Sequence, residues 1–82
     1  MVLKELTIRK NAGTRDYSLI VQRAMRFNSE VLMEVGSKKI NCKSVMGMIS
    51  LGLHAGESAV LIAKGDDEEA AMADIAELIE NL

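Results

Sequence analysis

The sequence predicts an α+β domain, a two-layer sandwich in which a four-stranded antiparallel sheet has three helices on one of its faces, in the order βαββαβα. Four segments alternate apolar and polar residues, which is the pattern of strands with one buried face. Two segments repeat apolar residues at helical intervals, and a third, shorter one lies between a helix-capping serine and a glycine. At 82 residues the chain has room for one small core, so we expect a single domain over 1–82.

The first strand is predicted over 2–8, with Leu6 and Ile8 facing the core. After a glycine turn, Asp16 is placed as the N-cap of a helix over 17–27, because its carboxylate can accept a bond from a free N–H group of the first turn. The apolar face of this helix consists of Ile20, Val21, Ala24 and Phe27.

Two further strands are predicted over 30–35 and 38–43, joined by the hairpin turn Gly36-Ser37. A fourth strand is predicted over 58–64. Cys42 alternates with outward-facing residues of the third strand, so its thiol is expected to be buried and inert. The other inward positions of the second and third strands are Val31, Met33, Val35 and Ile40.

Gly65-Asp66 is expected to open the last helix, where Asp66 and Glu69 have the spacing of a capping box. Four acidic residues in succession at this point favour a helix start through the helix dipole. The inner face of the helix is predicted to carry Met72, Ile75, Ala76 and Ile79.

Composition argues against several classes of function. A formal net charge of −2 gives no indication of binding to nucleic acid or to a membrane surface. No apolar stretch approaches the roughly 18 to 20 residues that cross a bilayer, and the first residues lack a secretory pattern. A single cysteine fits a reducing cytoplasm. With one Cys and one His, no metal-ligand cluster, catalytic triad or cofactor is predicted.

A short helix is predicted over 45–51, between Ser44 and Gly52. The Ser44 hydroxyl can accept a bond from an N–H group of the first turn, and Gly52 suits a C-terminal cap. The helix is so apolar that its side chains cannot all face one core, and Met46 and Ile49 are the candidates for the solvent side. An exposed apolar patch beside a hydroxyl at a helix start suggests a docking surface that contains a phosphorylation switch.

The ten residues 43–52, Lys-Ser-Val-Met-Gly-Met-Ile-Ser-Leu-Gly, resemble the regulatory-serine signature of HPr, the small phosphocarrier of the bacterial sugar phosphotransferase system. The resemblance extends to the opening strand, to 21–29, and to 62–68 with the helix that follows. It implies the HPr-like, open-faced form of the predicted sandwich. It also implies a cytoplasmic protein that is not an enzyme.

The resemblance fails where the phosphate acceptor of the family lies. HPr phosphocarriers open their first helix with a His-x-Arg-Pro motif, whose His accepts phosphate from Enzyme I. In this chain Gly13 is followed by Thr-Arg-Asp-Tyr-Ser, which is shorter than the family's segment and contains no histidine. The simplest matching sets Arg15 against the family's Arg and Asp16 against its Pro. We therefore expect that the chain does not act as a histidine phosphocarrier.

HPr-like proteins that lack this histidine and keep the serine act in catabolite repression. In the family, HPr kinase/phosphorylase phosphorylates the serine, and the phosphorylated form is a corepressor of the catabolite control protein, a LacI-type regulator. The resemblance thus implies phosphorylation at Ser44, where the phosphate is expected to meet free N–H groups of the helix start and the Lys43 side chain. The implied partner-binding residues are Arg15, Val45, Met46 and Ile49.

Two other interpretations stay open. In the first, the chain is a phosphocarrier with an atypical acceptor such as His54, the only histidine. In the second, it is an HPr fold reused as an unmodified interaction domain, in which Ser44 is only a helix cap. The expected oligomeric state is a monomer or a weak homodimer, since exposed Met46 and Ile49 would also serve a homodimer contact.

Overall fold

The computed structural model describes residues 1–82. Its elements follow the predicted βαββαβα order, which is confirmed. They are β1 (Val2–Thr7), α1 (Thr14–Ala24), β2 (Glu30–Val35), β3 (Lys38–Asn41), α2 (Val45–Leu51), β4 (Ser58–Lys64) and α3 (Glu68–Glu80).

The four strands form one antiparallel sheet in the order β1-β4-β2-β3. In the centre, Ala59 of β4 lies opposite Leu6 of β1, and Ala63 of β4 lies opposite Val31 of β2. Because directly opposite residues share a face of the sheet, all four point to the helices. At the β2–β3 hairpin, Gly36 has φ +60°, a conformation that glycine adopts without steric cost.

One apolar cluster fills the space between the sheet and the helices. In this space α3 contacts β1 and β4, α2 contacts β3, and α1 contacts both other helices. One side of α1 therefore faces α3 and its other side faces α2. The predicted inward residues that are buried are Leu6, Ile8, Ile20, Val21, Ala24, Val31, Met33, Cys42, Ile75, Ala76 and Ile79. Phe27, Val35, Ile40 and Met72 are only partly buried against this cluster.

The predicted start of α1 is wrong by one turn. The helix begins at Thr14, and its N-cap is Gly13 rather than Asp16. Asp16 lies inside the first turn, where its Oδ2 accepts the Gly13 N–H at 2.9 Å. An acid at this position can reach back to the N–H group of the N-cap residue, as in a capping box, so the helix includes a further turn.

The predicted capping box of α3 is also wrong. The helix begins at Glu68, and the Glu68 Oε1 accepts the Gly65 N–H at 3.1 Å. Asp67 is the N-cap residue, but its side chain makes no cap bond, because its carboxylate binds the loop between α1 and β2 instead. The helix thus begins two residues after Asp66, and the acid that reaches back to an N–H group is Glu68 rather than Glu69.

Close packing fixes α2 on β3. A Cβ atom on Gly47 would lie 2.7 Å from Cγ2 of Ile40, which is closer than atoms of two side chains approach. Gly47 is therefore required for the contact between helix and strand rather than for its backbone angles. No helix of the chain is both long enough and apolar enough to cross a membrane.

Candidate functional site

Ser44 lies at the start of α2, as predicted. Its backbone is extended, with φ −111° and ψ 113°, and its Oγ accepts the Gly47 N–H at 3.0 Å. A turn at the end of β3 leads to it: the Asn41 carbonyl accepts the Ser44 N–H at 3.0 Å, and the Asn41 side chain accepts the Lys43 N–H at 2.9 Å. The half-buried Ser44 hydroxyl is thus held at a defined place between β3 and α2.

The outer side of α2 is apolar and exposed. Met48 and Leu51 point into the core, whereas Met46 is 76% exposed and Ile49 is 41% exposed, with Val45 exposed beside them. The predicted solvent side of the helix is thus found. We refer to Val45, Met46 and Ile49 as the α2 patch.

Lys43 does not point freely into solvent next to Ser44. Its Nζ donates a hydrogen bond to the Phe27 carbonyl oxygen at 2.8 Å. This bond ties the start of α2 to the chain just beyond the end of α1. The Ser44 hydroxyl therefore contacts the Gly47 N–H and no cation. The Lys43 ammonium was expected beside Ser44, but it binds the Phe27 carbonyl instead.

The start of α1 already holds an anion. Asp16 accepts the Gly13 N–H, and Lys10 Nζ lies 3.5 Å from Asp16 Oδ2. The Gly13 bond, with Lys10 beside it, holds the pKa of Asp16 below its ordinary value, so the carboxylate is charged at neutral pH. It opposes the approach of a phosphate to this helix start. Arg15 is exposed in the same turn and makes no ion pair.

The other side chains with chemical potential lie apart from Ser44. His54 is exposed in the loop after α2, with its Nδ1 3.4 Å from Glu57 Oε1. The buried Tyr17 hydroxyl accepts the Leu53 N–H at 2.8 Å, so this side chain has a packing role. Cys42 is buried as predicted, and burial raises the pKa of its thiol to about 12. No two of these three side chains are hydrogen-bonded to each other as a nucleophile and its general base.

Two features were not predicted from the sequence. Met25 is 63% exposed at the end of α1, and its position one residue after the inward Ala24 was the available signal. The Asp67 carboxylate accepts the N–H groups of Asn28 at 2.8 Å and Ser29 at 2.9 Å, as well as the Ser29 hydroxyl. No local pattern could reveal this second feature, because its partners are far away in sequence.

The surface offers no further site for chemistry near Ser44. No group of three or more His, Cys, Asp or Glu side chains is arranged to hold a metal ion. One concave site is present, between α1 and α3 and therefore on the side of α1 opposite α2. It is lined by Arg23, Asp74, Glu77, Leu78 and Asn81.

An open-faced sandwich with a serine at the start of a short, exposed helix is the arrangement expected of the HPr family. The chain belongs to the HPr family: the family model described as "PTS HPr component phosphorylation site" matches residues 2–81. Proteins of the HPr and Crh kind are phosphocarriers and regulators rather than enzymes, and this chain, as a member of the family, is not an enzyme.

Individual relatives agree with this assignment. The HPr-like protein Crh of Halalkalibacterium halodurans is 40% identical over 82 residues, covering 98% of each chain. The crystal structure of HPr-C-His from Thermoanaerobacter tengcongensis superposes with a TM-score of 0.91 at 40% identity, over 99% of this chain and 93% of the other. Crh of Bacillus subtilis, described as a domain-swapped, intertwined dimer, gives a TM-score of 0.81 at 36% identity, over 99% and 95% of the two chains. The predicted HPr-like fold is confirmed.

Proposed function

We propose that this chain is a cytoplasmic HPr-like regulatory protein, controlled by phosphorylation of Ser44 and acting in carbon catabolite control by binding another protein. The modifying enzyme is HPr kinase/phosphorylase, and the partner of the phosphorylated form is a LacI-type catabolite control regulator. The observation that carries the proposal is the placement of Ser44 at the helix start, directly beside the exposed α2 patch.

The geometry supports a switch with little change of fold. The N–H groups of Val45 and Met46 lie in the first turn of α2, where no carbonyl of the helix can accept from them, so they can accommodate a phosphate on Ser44. The phosphate adds a charge of about −1.5 to −2 next to an apolar surface. It therefore changes which partner can dock on the α2 patch without a need to unfold the helix.

The residues at the start of α1 support the proposal that the chain lacks phosphocarrier activity. Asp16 supplies a negative charge at the helix start where the family's phosphate is held, and no histidine lies there. The exposed His54 follows the C-terminal end of α2, where the helix dipole disfavours an added anion. Arg15 is proposed as a partner contact, since its guanidinium has no carboxylate partner within the chain.

The first experiment is intact-mass analysis after incubation with ATP and the HPr kinase of the source organism. We expect one phosphate on the wild type and on Ser50→Ala, which removes the other serine of α2, and none on Ser44→Ala. An authentic HPr in the same tube shows that the kinase is active. An unmodified wild-type chain beside a modified HPr would leave Ser44 as a helix cap and the chain as an interaction domain.

The second experiment measures binding of the phosphorylated chain to the catabolite control regulator. Met46→Lys is expected to weaken binding about tenfold or more, as loss of a central apolar contact does. Leu3→Lys, an equal change at an exposed residue of the sheet, is the matched control and is expected to bind as the wild type does. Equal binding by all three proteins would remove the α2 patch from the interface.

A third experiment tests the phosphocarrier alternative. Incubation with phosphoenolpyruvate and Enzyme I is expected to leave this chain without acid-labile phosphate. Labelling that disappears in His54→Ala would instead identify His54 as an atypical acceptor.

A further inference from the structure

We propose that the side of the sheet that faces away from the helices is a second docking surface. It takes an amphipathic helix of another protein, with a basic residue beside the apolar stripe of that helix. The inference goes beyond the proposed function, because this surface lies on the opposite side of the sheet from α2 and does not involve Ser44. One chain can then hold two partners at once.

Four apolar side chains meet on this side of the sheet. Alternation along β4 turns Val60 and Ile62 away from the helices, because Leu61 between them lies in the core. Leu3 of β1 and Leu32 of β2 both lie directly opposite Ile62 and therefore share its face. We refer to Leu3, Leu32, Val60 and Ile62 as the open-face patch.

The open-face patch is separate from the core. Ile62 is only 9% exposed, yet it is not part of the apolar cluster between the sheet and the helices. Leu32 and Val60 are half-buried without packing against that cluster, and Leu3 is 59% exposed. An antiparallel sheet with helices on one side ordinarily has polar residues on the other. The core therefore gives no reason for these apolar side chains.

The dimensions of the patch fit one helix. Neighbouring strands are about 4.8 Å apart, so the row formed by Leu3, Ile62 and Leu32 spans about 10 Å across three strands. An α-helix with its side chains is about 10–12 Å wide. Val60 extends the patch about 7 Å along β4, which is little more than one helical turn. The apolar stripe of an amphipathic helix covers such an area.

The charges around the patch favour a basic partner. Lys39 Nζ lies 3.8 Å from Glu34 Oε2, and Lys64 lies directly opposite Glu30, so both lysines have acidic neighbours within the sheet. Glu5 is exposed at the edge of the patch and forms no ion pair within the chain. It is the carboxylate that remains for a lysine or arginine of the partner.

A second copy of the chain fits less well. A two-fold axis along the strands, between β4 and β2, brings Glu5 of each chain to Lys39 of the other but sets Glu34 against Val60 in the middle. An ion pair at an exposed rim contributes little, whereas a carboxylate pressed against an apolar side chain loses its hydration. An axis across the strands, through the apolar row, brings Glu30 to Glu34 of the other chain. A helix of another protein brings no acid to the patch.

The test is a titration of the isotope-labelled chain with a synthetic helical peptide, followed by amide chemical shifts in NMR spectra. The peptide is about four turns long, with leucines along one face and lysines beside them. We expect saturable shifts at the open-face patch. Leu3→Lys should lower the affinity about tenfold or more, and Glu5→Gln about two- to fivefold, as loss of an exposed ion pair does.

Two controls separate this binding from general effects of charge. Leu19→Lys makes the same substitution at a residue of α1 that is 42% exposed, and it should retain wild-type affinity. A peptide with glutamates in place of its lysines should bind about tenfold more weakly or not at all. Glu5→Gln changes only an exposed side chain, so it tests the site without a risk to the fold.

Several outcomes would overturn the inference. They are shifts confined to α2 or α3, no saturable shift with millimolar peptide, and an equal loss of affinity in Leu19→Lys. Patch shifts that grow with the concentration of the chain alone would assign the surface to a second copy and would also overturn it. The titration uses the unphosphorylated chain, so its result is independent of whether Ser44 is modified.

Discussion

At the scale of single residues, Ser44 has two roles in one position. Its hydroxyl caps α2 through the Gly47 N–H at 3.0 Å, and the same oxygen is the proposed phosphate acceptor. The cap has a measurable energetic consequence whether or not the residue is modified. Stability and phosphorylation therefore test the two roles separately.

Ser44→Ala is expected to lower the free energy of unfolding by about 1 kcal/mol, because an N–H group of the first turn loses its acceptor. Urea denaturation followed by circular dichroism measures the change. Ser50→Ala, in the same helix but exposed, is the control, and its free energy of unfolding should stay within about 0.5 kcal/mol of the wild type. Equal stability of Ser44→Ala and wild type would show that the cap contributes nothing.

Asp67 connects the loop after α1 to the start of α3 and makes stability depend on pH. The hydrogen bond from the Ser29 hydroxyl, followed by that from the Asn28 N–H, holds the pKa of Asp67 below its ordinary value. The folded chain thus favours the ionised carboxylate. This contribution is present above the unfolded pKa of about 3.9 and is lost as the pH falls through the folded pKa.

Asp67→Asn should therefore unfold at a lower urea concentration than the wild type at pH 7, with a difference that narrows below about pH 4. Urea titrations at both pH values measure this. Asp66→Asn, whose side chain makes no hydrogen bond within the chain, is the control and should follow the wild type at both. A difference for Asp67→Asn that is independent of pH would mean that the carboxylate charge is not responsible.

At the scale of elements, the placement of α2 depends on the absence of a side chain. Gly47 occupies a regular helical position in which alanine has the higher intrinsic helix propensity. Yet Ile40 of β3 lies so near that a Cβ atom would contact its Cγ2 at 2.7 Å. Packing between the elements is therefore expected to outweigh propensity within the helix.

Gly47→Ala is expected to destabilise the fold by about 1–3 kcal/mol, the usual effect of an added methyl group in a tightly packed contact. Gly13→Ala is the control for an added methyl group without crowding, since its nearest neighbour would be 4.0 Å away, and it should cost less than about 1 kcal/mol, the effect of alanine at an N-cap. Gly47→Ala should lower the free energy of unfolding less in the Ile40→Ala background than in the wild type, because the smaller side chain at position 40 leaves room for the added methyl group. Urea denaturation of the two single variants and the double variant measures this. A stabilised Gly47→Ala would contradict the close approach of helix and strand.

At the scale of the whole molecule, two routes lead to a dimer. The α2 patch can associate weakly with that of a second chain. Alternatively, an element can exchange between chains, and the candidate is β1, an edge strand bonded only to β4. A domain-swapped dimer is described for Crh of Bacillus subtilis. The two routes differ in the residues that they need and in their rates.

We expect a monomer at micromolar concentration and weak, rapidly reversible association at higher concentration, because the exposed patch is small. Sedimentation velocity over a concentration series tests this, with Met46→Lys expected to abolish the association and Leu3→Lys expected to retain it. A dimer that persists on dilution in Met46→Lys would indicate strand exchange instead.

The sequence by itself determined the order of the elements and the capped, exposed helix at Ser44. Both follow from local rules: alternation in strands, helical spacing, and a side-chain oxygen beside free N–H groups. The outward direction of Met46 and Ile49 also followed, since a short helix with apolar residues all round must expose some of them. Cys42 was placed correctly by the same alternation.

Tertiary structure decided what local patterns leave open. Asp67, the N-cap residue of α3, binds Asn28 and Ser29, groups far away in the chain, instead of capping its own helix. Lys43 reaches the Phe27 carbonyl because α1 packs between the two other helices. Hydrogen bonds and contacts between distant segments depend on the folded arrangement, which periodicity along the chain does not encode.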